Sequence, residues 1–231
     1  MTLNQTNNLS WSISSARFKM IEQQIRPWWV TDKDILEVLT VVRREFFVNE
    51  EQIPLAFSDI QLPISHSGEV MMEPKLEARI LQAIKPTGKE NVLEIGTGSG
   101  YMAALLGYFA KHVTSVEINP DLAHFAVTNL NKSKIPNVRV MTGDASKGWH
   151  QGAHQSYDLV CVSGGLPQIP QNLKNQLSIG GKLIAFVGTE PLMSVELVTR
   201  ISHDYFQTKT LFETLVPMLQ VPKEELSHFV F

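Results

Sequence analysis

From residue 91 onward, short apolar stretches alternate with segments in which apolar residues recur at helical spacing. The apolar stretches predict strands at 91–95, 112–117, 137–142, 157–162 and 181–187, with helices between them at 99–110, 120–131 and 169–178. Two later runs, 194–202 and 208–216, predict further strands, an antiparallel pair being one arrangement. This alternation predicts an α/β fold with a mostly parallel sheet, right-handed crossovers and helices on both faces.

Upstream of residue 91 the pattern favours helices. Apolar side chains recur at helical spacing between Ala16 and Arg26, and Pro27 ends that segment. Thr31 and Asp34 have the spacing of a capping box and predict the start of a second helix, while Pro74 predicts the start of a third. We expect these segments to form an N-terminal helical extension that can supply one wall of a substrate cleft.

Length and composition set the domain organisation. The chain has 231 residues, of which 43% are hydrophobic, so it can bury the core of one large domain. We predict a flexible, polar N-terminus at 1–15 and a single domain at 16–231. Within that domain, residues 16–85 carry the helices and an irregular loop, and residues 86–231 carry the sheet.

Charge and cysteine content argue against several classes of protein. A net charge of −3 gives no basic footprint for nucleic acid, and no apolar run approaches the roughly 20 residues that span a membrane. The N-terminus lacks the pattern of a signal peptide, so a cytoplasmic location is expected. Cys161 lies in an apolar strand and predicts a buried, inert thiol, and the histidines show no metal-ligand spacing.

The run from Val92 to Tyr101 is the most informative motif. An apolar strand leads through glycines spaced G-x-G-x-G into a helix, and this arrangement lets a ligand lie against the backbone. The dinucleotide fingerprint has a different spacing, G-x-G-x-x-G, and Glu94 would repel a pyrophosphate. Glu94 instead suits a ligand with an ammonium and a sulfonium, and Glu117 at the end of the next strand can accept both ribose hydroxyls. The pattern therefore favours S-adenosylmethionine, and an NAD-dependent oxidoreductase is the weakest alternative.

Ligands of such sheets bind outside the carboxyl ends of the strands. Four turns fall there, and Asp144 in the third could accept a hydrogen bond from an adenine amino group. The candidate cofactor-binding residues share this position at or just beyond a strand end: Glu94, Gly96, Thr97, Gly98, Ser99, Gly100, Glu117, Ile118, Gly143, Asp144 and Ala145. Ser163, in the fourth turn, could face the transferred methyl group or an oxygen of the acceptor.

With these positions fixed, the chain resembles the protein-L-isoaspartate O-methyltransferase family of Rossmann-like, S-adenosylmethionine-dependent methyltransferases. The resemblance covers most of residues 16–190 and is carried by motifs along that whole range: Met20 with Gln24-Ile25-Arg26, Val42 to Val48, Leu62-Pro63-Ile64, Val92 to Tyr101, Val113 to Glu117, Asn137-Val138, Gly143-Asp144 with Gly148-Trp149, Asp158, Leu177, Gly180-Gly181 and Val187-Gly188. It implies methylation of isoaspartyl carboxylates in damaged proteins or peptides, as the first step of their repair.

The acceptor region differs from the family pattern. Gly68 to Pro74 matches the family's G-Q-T-I-S-Q-P, with Met72 in place of the serine that the resemblance assigns to the acceptor carboxylate and with Glu69 and Glu73 in place of neutral amides. Acceptor-site candidates are therefore Met72, Ser163 and His66, a loop histidine that could bind a substrate. Two alternatives stay open: a methyltransferase for another, small-molecule acceptor, and a cofactor-binding protein without isoaspartyl activity.

Overall fold

A computed structural model describes residues 12–65, 67–151 and 156–220. Its helices are α1, α-helical over 12–19 and continuing as a π-helical turn at Met20–Ile25, α2 (Lys33–Val41), α3 (Pro74–Ile84), α4 (Tyr101–Phe109), α5 (Pro120–Lys132) and α6 (Gln171–Asn175). Its strands are β1 (Leu62–Pro63), β2 (Val70–Met71), β3 (Asn91–Ile95), β4 (His112–Glu117), β5 (Val138–Thr142), β6 (Tyr157–Leu166), β7 (Leu177–Thr189), β8 (Leu192–Arg200) and β9 (Phe206–Thr214). Short 3₁₀ turns lie at Arg26–Trp28, Arg44–Phe46 and Glu50–Leu55.

The described strands form a two-stranded β1–β2 ribbon and one seven-stranded sheet in the order β5-β4-β3-β6-β7-β8-β9. Strands β3 to β7 run parallel, whereas β8 and β9 add an antiparallel pair at one edge. The order reverses between β3 and β6, because β4 and β5 extend the sheet on one side of β3 while β6 continues on the other. A crevice for a ligand is expected at this switch point, beyond the carboxyl ends of β3 and β6.

The core has two parts, one on each face of the sheet. Neighbouring residues of β3 alternate between them, with Val92 in the cluster that contains α1 to α4 and Leu93 in the cluster that contains Trp149 and Leu173. Both faces of the central strands are therefore buried, as the continuous apolar runs of the sequence predict. The α/β fold with a mostly parallel sheet and an N-terminal helical extension is confirmed.

Three local predictions need correction. The α2 cap is Asp32, whose carboxylate accepts from the backbone N–H groups of Asp34 and Ile35, so the capping box at Thr31 is wrong. The helix predicted at 169–178 is only α6, because Leu177 already pairs with Tyr157 as the start of β7. The last strand, β9, ends at Thr214, and the chain then leaves the sheet.

The helices of the described residues were also compared with the length and hydropathy of a membrane span, and none of them meets both requirements.

Candidate functional site

A cavity of about 250 Å³ opens at the switch point of the sheet. Its floor consists of Ile95, Gly96 and Gly98 with residues 116–118 and 143–146, which are the ends of β3 and β4 and the turns after β3, β4 and β5. Its roof consists of Ile64, residues 67–70 and Met72 from the irregular loop, and residues 216–220 beyond β9. Ser163 and Gly164 form one wall; they lie inside β6, at its irregularity between Cys161 and Gly165, and not in a turn as the sequence predicted.

Backbone hydrogen bonds hold the floor together. The N–H of Gly96 donates to the carbonyl of Val116 over 2.9 Å, and the N–H of Gly143 donates to the carbonyl of Glu117 over 2.8 Å. Both Gly96 and Gly98 have positive φ, at 87° and 53°. A Cβ on Gly98 would lie 3.2 Å from Cδ1 of Ile64, so glycine at this position keeps the space between floor and roof open. The turn is therefore a cradle that a side chain would fill.

Glu117 is the carboxylate best placed on the floor. It is buried, and its two oxygens accept from the N–H groups of Gly98 at 2.8 Å and Asn119 at 3.0 Å. Each carboxylate oxygen can accept a further hydrogen bond. Because the side chain also lines the cavity, it is fixed in position to accept hydroxyl groups from a bound ligand.

The structure brings most predicted cofactor residues to the cavity and leaves some away from it. Lining the cavity are Gly96, Gly98, Glu117, Ile118, Gly143, Asp144 and Ala145. Thr97 and Ser99 are buried behind the glycine turn. A Cβ on Gly100 would lie 3.2 Å from Cβ of Ala126, so this glycine allows α4 and α5 to pack closely and does not face the cavity.

Glu94 lies beneath the cavity and is fully buried. Its carboxylate accepts from the hydroxyl of Ser115 at 2.6 Å and from that of Ser163 at 3.1 Å. Burial raises the pKa of Glu94 to about 8; the two hydroxyls oppose this shift, and the charges of Glu117 and Glu77 add to it. Ser163 lines the cavity and lies between it and the carboxyl group of Glu94.

The acceptor-site candidates occupy different positions. Met72 packs into the core and also lines the cavity, and its backbone carbonyl accepts from the buried guanidinium of Arg44 at 2.5 Å. Arg44 is in turn paired with buried Glu77 and lies 4.9 Å from the ring centroid of Tyr101, at the start of α4. The third candidate, His66, lies outside the described residues.

Glu69 in the roof, which stands where the family pattern has a neutral amide, is held by hydrogen bonds. Burial raises its pKa, but hydrogen bonds from Ser65, its own backbone, Asn119 and Gln220 outweigh that effect and leave the pKa below its usual range. The amide of Gln220 donates to Glu69 over 2.6 Å. Glu69 therefore joins the loop to the segment beyond β9.

That segment is the part of the site that sequence reasoning missed. Pro217 accepts from the N–H of Gly165, and the N–H of Leu219 donates back to the carbonyl of Gly165, both over 2.9 Å. The Leu219 side chain lies over the wall, with Cδ2 2.8 Å from the position of a Cβ on Gly164. The signal was Pro217 within an apolar run after the last strand, since proline does not continue a central strand.

The electrostatics of the cavity favour a cationic ligand. Glu69, Glu117 and Asp144 all line it, whereas no lysine or arginine is among the described lining residues. A pyrophosphate would meet three carboxylates and no compensating cation. S-adenosylmethionine, which carries an ammonium and a sulfonium, fits this donor set, the glycine cradle and the position of Glu117.

Comparison with known proteins shows the family of the chain. The family model for Protein-L-isoaspartate(D-aspartate) O-methyltransferase (PCMT) matches residues 15–222. Protein-L-isoaspartate O-methyltransferase 1 of Rhodopseudomonas palustris (strain HaA2) is 39% identical over 210 residues, covering 90% of this chain and 84% of the relative. Protein-L-isoaspartate O-methyltransferase of Protochlamydia amoebophila (strain UWE25) is 40% identical over 194 residues, covering 83% and 90%.

A solved structure has the same fold. This crystal structure from Plasmodium falciparum, described as a protein-L-isoaspartate O-methyltransferase in complex with S-adenosyl-L-homocysteine, superposes with a TM-score of 0.73 at 20% identity, covering 87% of this chain and 97% of that one. At this identity, the similarity concerns the fold. The family match over nearly the whole chain and the relatives near 40% identity are decisive. The chain belongs to the protein-L-isoaspartate O-methyltransferase family.

Proposed function

We propose that this protein is an S-adenosylmethionine-dependent methyltransferase that methylates the carboxylate of isoaspartyl residues in proteins or peptides. One observation carries the proposal: in a chain of this family, the glycine turn and three carboxylates line one cavity, with no basic side chain among its described lining residues. When bound, S-adenosylmethionine supplies a methyl group on a positively charged sulfur, which leaves as a neutral thioether.

The floor residues bind and orient the cofactor in this proposal. Glu117 accepts the ribose hydroxyls while Gly98 and Asn119 hold its carboxylate in place. Asp144 accepts from the adenine amino group, and its own side chain is oriented by the N–H of Ser146, which donates to it over 2.8 Å. Gly96 and Gly98 leave room for the cofactor against the backbone.

The roof excludes water from the reacting groups. Val216, Met218 and Leu219 bring apolar side chains to the cavity opposite the floor. Methyl transfer from a cation to an anion neutralises both charges, so a dry cavity favours it. No general base is needed, because an aspartyl-type carboxylate with a reference pKa of about 3.9 is already ionised at neutral pH. Positioning of the acceptor is the remaining task, and Ser163 supplies a hydroxyl at the wall for it.

The test is transfer of label from methyl-labelled S-adenosylmethionine to an isoaspartyl peptide, with the ordinary aspartyl peptide of the same sequence as control. Cofactor binding is measured in the same sample, and label that is released by mild base identifies a methyl ester. Selective, base-labile labelling of the isoaspartyl peptide supports the proposal. Cofactor binding with no transfer to the isoaspartyl peptide would refute this acceptor.

A further inference from the structure

We infer that Glu94 is a positioning residue for methyl transfer: by holding or releasing a proton, it sets whether the hydroxyl of Ser163 donates into the cavity or away from it. This inference rests on the proposed function, since it concerns how an anionic acceptor is held. Glu94 touches neither acceptor nor cofactor in this scheme and acts through Ser163.

The geometry limits the hydrogen bonds that this group of residues can make. Glu94 Oε1 lies 3.1 Å from Ser163 Oγ, and Glu94 Oε2 lies 2.6 Å from Ser115 Oγ. Ser115 Oγ is in turn 2.6 Å from the hydroxyl of Thr97. Both Glu94 and Ser115 are fully buried, so water does not compete for these bonds. Within this chain of hydroxyls, only Ser163 reaches the cavity.

The direction of the bond between Glu94 and Ser163 depends on one proton. An ionised carboxylate only accepts, so Ser163 must donate to it, and only lone pairs of Ser163 then face the cavity. A protonated Glu94 can donate to Ser163 Oγ instead, and the Ser163 hydroxyl is then free to donate to an acceptor carboxylate. Ser163 Oγ thus repels an anion with its lone pairs when Glu94 is ionised, and its hydroxyl binds an anion when Glu94 is protonated.

The surroundings of Glu94 favour the protonated form. Glu117 faces it from β4 and Glu77 from α3, and both carboxylates disfavour a second negative charge. Cys161, its neighbour on β6, is a buried thiol whose pKa is also raised by burial and by Glu94. Burial is the largest influence on Glu94 and raises its pKa to about 8. A cationic cofactor favours the ionised form, so the midpoint must be measured with cofactor at saturation.

This role also explains the departure at Met72. The family's serine hydroxyl is replaced there by a thioether, and the described lining contains no lysine or arginine to hold an anion. The amide of Gln220 is already engaged by Glu69. Ser67 and Ser146 also line the cavity, but among these three lining serines Ser163 is the one whose hydroxyl is bonded to a buried carboxyl group, so its donor direction depends on that group's proton.

The first experiment is the pH profile of kcat/KM for an isoaspartyl peptide at saturating S-adenosylmethionine. We expect the wild type to lose activity on the alkaline side as Glu94 ionises. Glu94→Gln keeps an acceptor for Ser115 and a permanent donor for Ser163, so its profile should stay flat there. Ser163→Ala should lower kcat/KM by about tenfold or more at neutral pH, with little change in the KM for cofactor, and should lack the alkaline loss.

The matched control is Glu77→Gln, because Glu77 is also a buried carboxyl group with a raised pKa but is paired with Arg44 and not with Ser163. Its profile should keep an alkaline loss, with the midpoint moved to lower pH because the charge of Glu77 raises the pKa of Glu94. An alkaline loss that persists in Glu94→Gln, or that disappears equally in Glu77→Gln, would overturn the inference.

A second measurement is independent of turnover. An infrared titration of the protein with and without cofactor should show two carbonyl bands of protonated carboxyl groups that disappear with rising pH: the Glu94 band is missing in Glu94→Gln, whereas the Glu77 band remains in that variant. If the wild type transfers no methyl group at any pH, the proposed function fails. The infrared titration then tests separately whether Glu94 carries a proton. A carboxyl band that titrates in the wild type and is lost in Glu94→Gln supports a protonated Glu94. If there is no such band, or if the bands are unchanged in Glu94→Gln, the inference is overturned.

Discussion

The floor and the roof of the cavity are held in place by different kinds of contact. In the floor, backbone groups bond to backbone groups or to the buried Glu117, as in the 2.8 Å bond from Gly98. In the roof, backbone bonds of Pro217 and Leu219 to Gly165 are supplemented by partly exposed side chains that join segments far apart in sequence, as Gln220 joins Glu69. Contacts of the second kind open at low free-energy cost. The molecule thus combines a buried, backbone-bonded floor with a roof that also depends on weaker, partly exposed side-chain contacts.

The largest expected effect comes from filling the floor. Gly98→Val places a branched side chain at a positive φ of 53° and against Ile64. We expect the affinity for S-adenosylhomocysteine to fall about 100-fold or more, measured by calorimetry. Gly180→Val is the matched control, because Gly180 has a φ of +83° with nothing within 4 Å of its Cβ position. Equal losses in both variants would show that backbone strain, and not the cavity, is responsible.

Removing the floor carboxylate is expected to have the next largest effect. Glu117→Ala deletes the acceptor for ribose hydroxyls, and hydrogen bonds to a charged group contribute roughly 1.5–3 kcal/mol, or about 10- to 150-fold in cofactor affinity. Glu90→Ala is the control, since Glu90 likewise accepts from backbone N–H groups, those of Thr87 and Lys89, before the start of β3. Unchanged affinity in Glu117→Ala would refute the ribose assignment.

The difference between the contacts of the floor and those of the roof also explains how far the sequence predicts each region. Strands β3 and β4 were predicted with the observed bounds, because both of their faces are buried and valine, leucine and isoleucine mark them in the sequence. The glycine turn and Glu117 were found because a local motif specifies them. The roof contact of Gln220 with Glu69 spans 151 positions and leaves no periodic signal. Similarly, nothing local showed that Ser163 would lie over a buried Glu94.

A third prediction concerns the buried carboxyl groups beneath the floor. Burial raises the pKa of Glu94 from 4.5 to about 8 and that of Glu77 from 4.5 to about 7. Between pH 4.5 and these raised pKa values, the folded state therefore binds more protons than the unfolded state. Their contribution to stability is fully present below pH 4.5 and is lost as the pH rises through 7 and 8.

Thermal unfolding at a series of pH values tests this directly. Relative to the wild type, Glu94→Gln should lose less stability between neutral and alkaline pH. Glu77→Gln should also lose less stability as the pH rises, but over a lower pH range. Glu73→Gln, with a carboxylate that is not fully buried, serves as the control for removing one charge. A stability difference between wild type and Glu94→Gln that does not vary with pH would contradict the assignment.

The smallest expected effect tests the roof. Gln220→Glu would set two carboxylates against each other where Gln220 Nε2 now lies 2.6 Å from Glu69 Oε1. We expect S-adenosylhomocysteine to leave about two- to tenfold faster in stopped-flow measurements, since a partly exposed hydrogen bond contributes roughly 0.5–1.5 kcal/mol. The double variant Glu69→Gln with Gln220→Glu exchanges donor and acceptor, so it should return the rate to near the wild-type value. Additive effects of the two substitutions would mean that the pair does not close the roof, and the cover would then depend on the apolar contacts of Leu219 with the wall.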